Sequence, residues 1–200
     1  MRRLIVVGLL CIASVIASVT ANGDPNLDPE LRTALENAIT QPEGFDDRYG
    51  AEVWLLDMST RLDRLAQGTG RLSRHLQDHQ ERIEILHGVH REAVRAGLDP
   101  NLVLAVIEVE STFDRYAVSR SGAQGLMQVM PFWLRELHMH DANLMDIGVN
   151  LRIGCTILKH YLEREGGDAV RALARYNGSL GKLEYPNKVL RAQARHWYPR

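Results

Sequence analysis

The sequence predicts a mainly α-helical protein, and three observations carry that expectation. Apolar residues recur at steps of three and four through long stretches. Residues with capping chemistry stand where those stretches stop. No strand-like alternation of useful length appears anywhere in the 200 residues. The composition is that of a globular chain, with 45% hydrophobic and 24% charged residues and a net charge of −1. That length can bury a sizeable core. The near-neutral balance gives no footprint for a nucleic-acid partner. Of the twelve aromatic residues, nine lie in the second hundred positions.

The first 21 residues have the shape of a secretory signal peptide. Met1-Arg2-Arg3 is a short basic start. Leu4 to Ala17 is an apolar run of 14, broken only by Gly8 and Ser14. Val19-Thr20-Ala21 is a small-residue cleavage site, with the cut expected after Ala21. The alternative is an uncleaved anchor, since Leu4 to Ala21 is 18 residues, the lower limit for a span. Ser14, Ser18 and Thr20 weigh against it, and membrane association is expected only if the signal stays attached. Leu10 before Cys11 is too bulky for a lipobox, and the Arg pair lacks the surroundings of a twin-arginine signal. Cleavage leaves a chain of net charge −3 with one thiol, Cys155, expected buried in the apolar stretch Ile153 to Leu158.

The elements then come in order. Asn22 to Pro29 is a polar leader, and Pro29 to Thr40 reads as a short helix. Gln41-Pro42-Glu43-Gly44 breaks it. Phe45 to Gln67 is helical, with Val53, Leu55, Leu56, Met58, Leu62 and Leu65 on its apolar side. Gly68-Thr69-Gly70 interrupts the pattern. A second run from Leu72 reaches Ala96 through Leu76, Ile83, Leu86, Val89 and Ala93, and Gly97 is placed to stop it. Asp99-Pro100 supplies an N-cap followed by Pro at the first helical position. Residues 22–90 are thus expected to form an N-terminal helical extension. This segment is either a brace for the C-terminal half of the chain or an interaction module, and the cluster Trp54-Leu55-Leu56, which must find burial, favours the brace. Charge pairs such as Asp63 with Arg64 and Glu81 with Arg82 read as a solvated face.

No metal site is expected. His75 and His79 could share a helix face, but Leu76 stands where a zinc protease needs Glu. His138 and His140 lack an obvious third ligand. No P-loop, dinucleotide fingerprint or Ser-His-Asp context appears, so no cofactor is expected.

Chemistry begins at Asp99. The helix from Leu102 to Glu110 is apolar at seven of its first eight positions and ends in two carboxylates, Glu108 and Glu110. At about 100° per residue these point to nearly opposite sides and cannot easily act on one bond. A carboxyl at the end of a buried helix loses hydration and its pKa rises, as a general acid near neutral pH requires. The alternative is a Glu held in an ion pair, for example with Arg115 or Arg120. From the helix alone both readings stay open.

Glu110-Ser111 is followed by Ser119-Arg120-Ser121-Gly122-Ala123-Gln124-Gly125-Leu126-Met127-Gln128-Val129-Met130-Pro131, and later by Ala174-Arg175-Tyr176-Asn177-Gly178. Asn150-Leu151-Arg152-Ile153-Gly154 lies between them. In this order the blocks resemble the lytic transglycosylases of the soluble (SLT) type, related to goose-type lysozyme. The resemblance runs from about Glu92 to Leu190. It implies a lysozyme-like helical catalytic domain over residues 91–200, and places Glu110 as the catalytic acid. Positions corresponding to Ser119, Gln128, Met130 and Tyr176 line the glycan cleft in that family, and Asn177 is added as a further substrate-binding candidate.

Each block also has a physical reading. Gly122 and Gly125 let the backbone approach a ligand or another segment. Gln128 offers donor and acceptor on one amide, and Met130 an adaptable apolar wall. Tyr176 combines a flat face with a hydroxyl that can reach the acid. Leu126 and Met127 are expected in the core, Pro131 at a helix start, and Ser111 holding local backbone. Two positions depart from the family pattern. The loop after Tyr176-Asn177 is Gly178-Ser179-Leu180-Gly181, and Asp114 stands where Asn is common. Asp114 is expected to cap or end the helix rather than serve as a second acid.

The implied reaction is cleavage of the β-1,4 bond between N-acetylmuramic acid and N-acetylglucosamine of peptidoglycan. Glu110 donates a proton to the bridging oxygen. It then takes the proton of the muramoyl 6-hydroxyl, which closes a 1,6-anhydro ring. A hydrolase of lysozyme or chitinase type and a non-catalytic glycan-binding protein of the same fold are the alternatives. The expected partner is the glycan strand, acted on by a monomer in the periplasm.

Overall fold

The computed structural model describes residues 28–41 and 48–198. The expected signal segment, residues 22–27 of the leader, the breaker after Gln41 and the first three residues of the helix expected from Phe45 lie outside those residues. Among the described residues the protein is all-α, with no strand beyond isolated bridges joining Val118, Gln124 and Val129. The helices are α1 (Pro29–Thr40), α2 (Arg48–Ala66), α3 (Arg71–His75), α4 (His79–Ala96), α5 (Pro100–Glu110), α6 (Phe132–Glu136), α7 (Ile147–Arg164), α8 (Ala169–Tyr176) and α9 (Glu184–Ala192), with a π-helical turn, Gln193–Trp197, after the last. None of them is long and apolar enough to cross a membrane.

The caps explain most of the boundaries. Asp28 accepts from the Leu31 N–H, Asp99 from Asn101 and Asp168 from Arg171, each satisfying a donor the helix start leaves unpaired. α4 ends at Gly97, whose φ of 65° is the left-handed conformation, and the Leu98 N–H returns to the Ala93 carbonyl at 2.8 Å.

The helix expected from Leu72 to Ala96 is two helices. The chain breaks after His75, and Asp78 caps α4 by accepting from the Gln80 and Glu81 N–H groups. Leu76 is fully buried at the break. The Gln77 amide donates to the Ser73 and Ala66 carbonyls. The apolar periodicity passed over a corner that polar side chains stabilise.

One core joins both halves of the chain. Leu31, Leu35, Met58 and Leu62 from α1 and α2 share it with α4, α5, α7, α8 and α9. α5 lies at its centre, with Val103 to Ile107 fully buried, and it packs against α4, α9 and the π turn. α1 is tied to α7 through Asp28, whose carboxylate meets His160 Nε2 at 3.0 Å and Arg164 Nη1 at 2.5 Å. α2 is tied to α5 by the Trp54 indole, which donates to Asn101 Oδ1 at 2.9 Å.

Two expectations for this region change. Trp54 and Leu55 pack against the core, but Leu56 is 73% exposed. Asp63 pairs not with its neighbour Arg64 but with Arg82, at 2.7 Å, bridging α2 and α4. Cys155 is fully buried beside Met127, as expected, and burial pushes its thiol up.

α4 and α7 also enclose a carboxylate. Glu92 is 1% exposed and meets Arg152 Nε at 2.6 Å, Arg95 Nε at 2.7 Å and Arg91 Nε at 3.1 Å. Burial would raise its pKa, but hydrogen bonds from Arg152, Arg95 and Arg91 outweigh that and hold it below the ordinary value.

Candidate active site

The site is built on the end of α5. Six buried apolar residues, Leu102 to Ile107, anchor the helix, so its last turn carries Glu110 out of the core to a position of partial exposure. Protein still surrounds the carboxyl, and burial pushes its pKa from 4.5 up to about 7. One hydrogen bond opposes the shift: the Tyr185 hydroxyl donates to Glu110 Oε1 at 2.6 Å. Tyr185 sits in the first turn of α9 and is 8% exposed. Burial and the nearby Glu110 hold its own pKa well above 10, so it remains a donor.

Among the described residues no ion pair holds Glu110. Arg115 donates to the Met145 carbonyl at 3.0 Å and approaches Glu84. Glu108 faces elsewhere, as the helical spacing requires. Its carboxylate meets His196 Nδ1 at 2.9 Å and accepts from the Trp197 indole at 2.9 Å, which fastens the π turn to α5. Asp114 lies past the helix end and accepts from the Tyr116 N–H at 2.9 Å. The helix has already ended at its C-cap, Ser111, so Asp114 does not cap it as expected but holds the following turn, and it contributes nothing to the Glu110 shift.

The motif loop, residues 117–131, lies against α7. Gly125 has φ 75°, and a Cβ there would collide with the Asn150 side chain and the Leu144 carbonyl. Its close approach is to the protein rather than to a ligand. Gly122, at φ 88°, has open space beside it and serves the turn. Asn150 organises the loop from beneath. It is 1% exposed, accepts from the Met127 N–H at 2.8 Å, and donates to the Gln124 and Leu144 carbonyls at 2.8 and 2.9 Å. Gly154 leaves the room that Met127 fills on α7.

The candidate substrate contacts divide into two sets. Tyr176, at the end of α8, lies close enough to Glu110 for that carboxylate to help raise its pKa, after burial. Its hydroxyl does not reach the acid, however. It donates to the Met127 carbonyl at 2.8 Å, satisfying a backbone acceptor that the motif loop would otherwise leave bare. The hydroxyl on the acid belongs to Tyr185, which no motif in the sequence singles out. Only the concentration of aromatics in the second half hinted at it.

Gln128 has a left-handed φ of 52° and donates its amide to the Ala117 and Gly125 carbonyls at 3.2 and 3.0 Å. Its Oε1 accepts no hydrogen bond from the described residues. Met130 is partly buried against the core. Ser119 is committed to its own loop: its Oγ accepts from the Ala123 N–H at 3.0 Å and lies 2.9 Å from Ser121 Oγ. Asn177 is exposed at the C-terminal end of α8, and its amide donates to Ser179 Oγ at 3.0 Å. Ser111 donates to the Ile107 carbonyl, as a backbone-holding residue should.

His75 and His79 do not converge. His75 turns to Thr112, and His79 Nδ1 meets Arg82. No group of three or more His, Cys, Asp or Glu side chains among the described residues could hold a metal ion.

Comparison with known proteins adds to this geometry. The sequence profile of the Transglycosylase SLT domain matches residues 89–196. A transglycosylase of Enterobacteria phage PRD1 is 35% identical over 101 residues, covering 47% of this chain and 37% of the phage protein. Membrane-bound lytic murein transglycosylase C of Edwardsiella ictaluri is 57% identical over 42 residues, 21% of this chain and 12% of that protein. The same-named protein of Actinobacillus pleuropneumoniae serotype 5b is 54% identical over 43 residues, 22% and 12%. The chain thus spans well under half the length of these relatives.

Proposed function

Since the chain belongs to the family of the Transglycosylase SLT domain, we propose that it is a lytic transglycosylase. It cleaves the β-1,4 bond between N-acetylmuramic acid and N-acetylglucosamine in peptidoglycan. The observation that carries this reading is Glu110: one carboxyl, raised to about 7 by burial, with a tyrosine hydroxyl on one oxygen. Among the described residues no neighbouring acid contributes to its shift. Most glycosidases divide the work between two carboxylates, with one protonated and one charged. Here a single group serves as acid and then as base.

That arrangement supports the following chain of events. With Tyr185 donating to Oε1, the Glu110 proton sits on Oε2 and goes to the glycosidic oxygen. Positive charge develops at the muramoyl C1, and the N-acetyl carbonyl of the same sugar stabilises it from below. The carboxylate left behind keeps its hydrogen bond from Tyr185, which is stronger to the anion than to the acid. Glu110 then takes the proton of the 6-hydroxyl, whose oxygen bonds to C1. Atoms balance without water, and the product is a 1,6-anhydromuramoyl end. Gln128 Oε1 is available to a sugar hydroxyl or N-acetyl N–H. Met130 supplies an apolar wall for the acetyl methyl, and Ser119, Tyr176 and Asn177 line the rim.

Residues 91–200 form the catalytic lobe in this reading, and residues 22–90 brace it after the signal segment, residues 1–21, is removed. The murein transglycosylase relatives support action at the cell wall, and in this reading the protein works there as a monomer in the periplasm. The test is clearing of purified sacculi by wild type and Glu110→Gln. Wild type clears the suspension and the folded variant does not. Near-full clearing by Glu110→Gln overturns the assignment.

A further inference from the structure

Thr112 and Phe113 come directly after Glu110-Ser111, and both have left-handed φ angles, 53° and 63°. Neither is glycine and one is β-branched, so this backbone persists only where its surroundings hold it. Phe113 is held by the core: it is fully buried with its ring 5.7 Å from that of Trp197. Thr112 is held by a different part of the chain. His75 Nδ1 lies 3.0 Å from both the Thr112 carbonyl and its Oγ1.

The partners fix the direction of these bonds. A carbonyl only accepts, and Thr112 Oγ1 already donates to the Ser111 carbonyl at 2.6 Å. Nδ1 must therefore carry a proton and donate. The other ring nitrogen, Nε2, is 3.7 Å from Asp114 Oδ2. Asp114 in turn donates its N–H to the Ser111 carbonyl and accepts from Tyr116. One imidazole thus spans both sides of the turn that closes α5.

His75 is itself anchored. It ends α3, which packs on α2, and Ser73 of the same helix donates to the Ala66 and Gly68 carbonyls at 2.7 and 2.8 Å. Both α2 and α3 precede residue 89, where the family match begins.

We propose that His75 is a positioning residue for Glu110, by which the N-terminal extension pins the left-handed turn after α5 and fixes how deeply the acid sits. The catalytic consequence rests on the reading of Glu110 given above; the positional one does not. Losing the clamp lets the turn relax, so the end of α5 frays and water reaches the carboxyl.

The test compares His75→Ala and His75→Asn with wild type. The asparagine amide nitrogen stands near the place of Nδ1 and can donate to the same two oxygens. Two readouts are taken: kcat and KM on soluble glycan strands, and the Glu110 carboxyl titration by 13C NMR without substrate. His75→Ala is expected to lose about tenfold in kcat with KM nearly unchanged, since small misplacement of a reacting group is costly. Its Glu110 is expected to titrate at lower pH than in wild type. His75→Asn restores both.

The inference is overturned if Glu110 titrates as in wild type while any activity loss tracks only the folded fraction by circular dichroism. It is equally overturned if His75→Asn behaves as His75→Ala, or if His75→Ala has wild-type kcat. A wild-type protein that leaves glycan strands intact defeats the proposed function, while the carboxyl titration still decides this inference.

Discussion

Replacing Glu110 by Gln removes activity in this account and should also stabilise the fold at alkaline pH. In the folded protein burial pushes the carboxyl up to about 7. In the unfolded chain it titrates near 4.3. Between those values the folded state holds a proton that the unfolded state has lost, so stability falls as pH rises, and the loss is complete above about 7. The distance from about 4.3 to about 7 corresponds to about 4 kcal/mol, and the partial exposure of the residue reduces this to roughly 1–3 kcal/mol.

The amide introduced by Glu110→Gln would be neutral at every pH and its Oε1 would still accept from Tyr185. The variant therefore escapes the cost without losing the hydrogen bond. Urea unfolding tracked by circular dichroism tests this. Near pH 8 the midpoint of Glu110→Gln should lie above wild type by roughly 1 M, given a typical urea slope. At about pH 4 the two should coincide, because both states of the wild type are then largely protonated. A difference independent of pH, or a variant less stable near pH 8, refutes the claim that burial raises this carboxyl.

Three further outcomes rest on the same contacts. Tyr185→Phe removes the one hydrogen bond that favours the carboxylate, so the alkaline limb of the pH–rate profile moves up while kcat falls about tenfold or more. Glu92→Ala leaves three arginines around an empty space and should cost about 3–5 kcal/mol in urea unfolding. Asn150→Ala strands the Met127 N–H and the Leu144 carbonyl and leaves the Gln124 carbonyl only its bond from the Val129 N–H, costing about 2–4 kcal/mol in the same assay. It should also slow sacculus clearing, because the motif loop loses its support.

The features legible in the sequence were mostly local. α1 starts at Pro29 and α5 at Pro100 because an Asp stands before each Pro, and α4 stops at Gly97 because glycine takes a left-handed φ at no cost. The depth of Glu110 was legible because seven apolar neighbours in one helix leave it little water. The break at Leu76–Asp78 was hidden by apolar residues that keep helical spacing across a corner. Asp78 with Glu81 three residues later was the available signal.

The illegible features depended on distant pairing. Tyr185 lies 75 positions from Glu110, and nothing in its neighbourhood of sequence marks it as the residue on the acid. Tyr176 looked equally able to reach, but the Met127 carbonyl claims its hydroxyl. Asn150 could be matched to a motif, yet its three hydrogen bonds to the loop required the packing of α7 to be known. Of the two glycines read as close approaches, Gly125 approaches Asn150 rather than a sugar, and Gly122 approaches nothing and serves the turn.

The central claim is that one carboxyl acts twice, with no water in between. The most direct measurement is the mass of the muropeptides released from purified sacculi by the wild-type protein, with Glu110→Gln as the control. The account predicts 1,6-anhydromuramoyl ends, each lighter than a reducing end by one water. Reducing ends in their place would contradict it and make Glu110 the acid of a hydrolase.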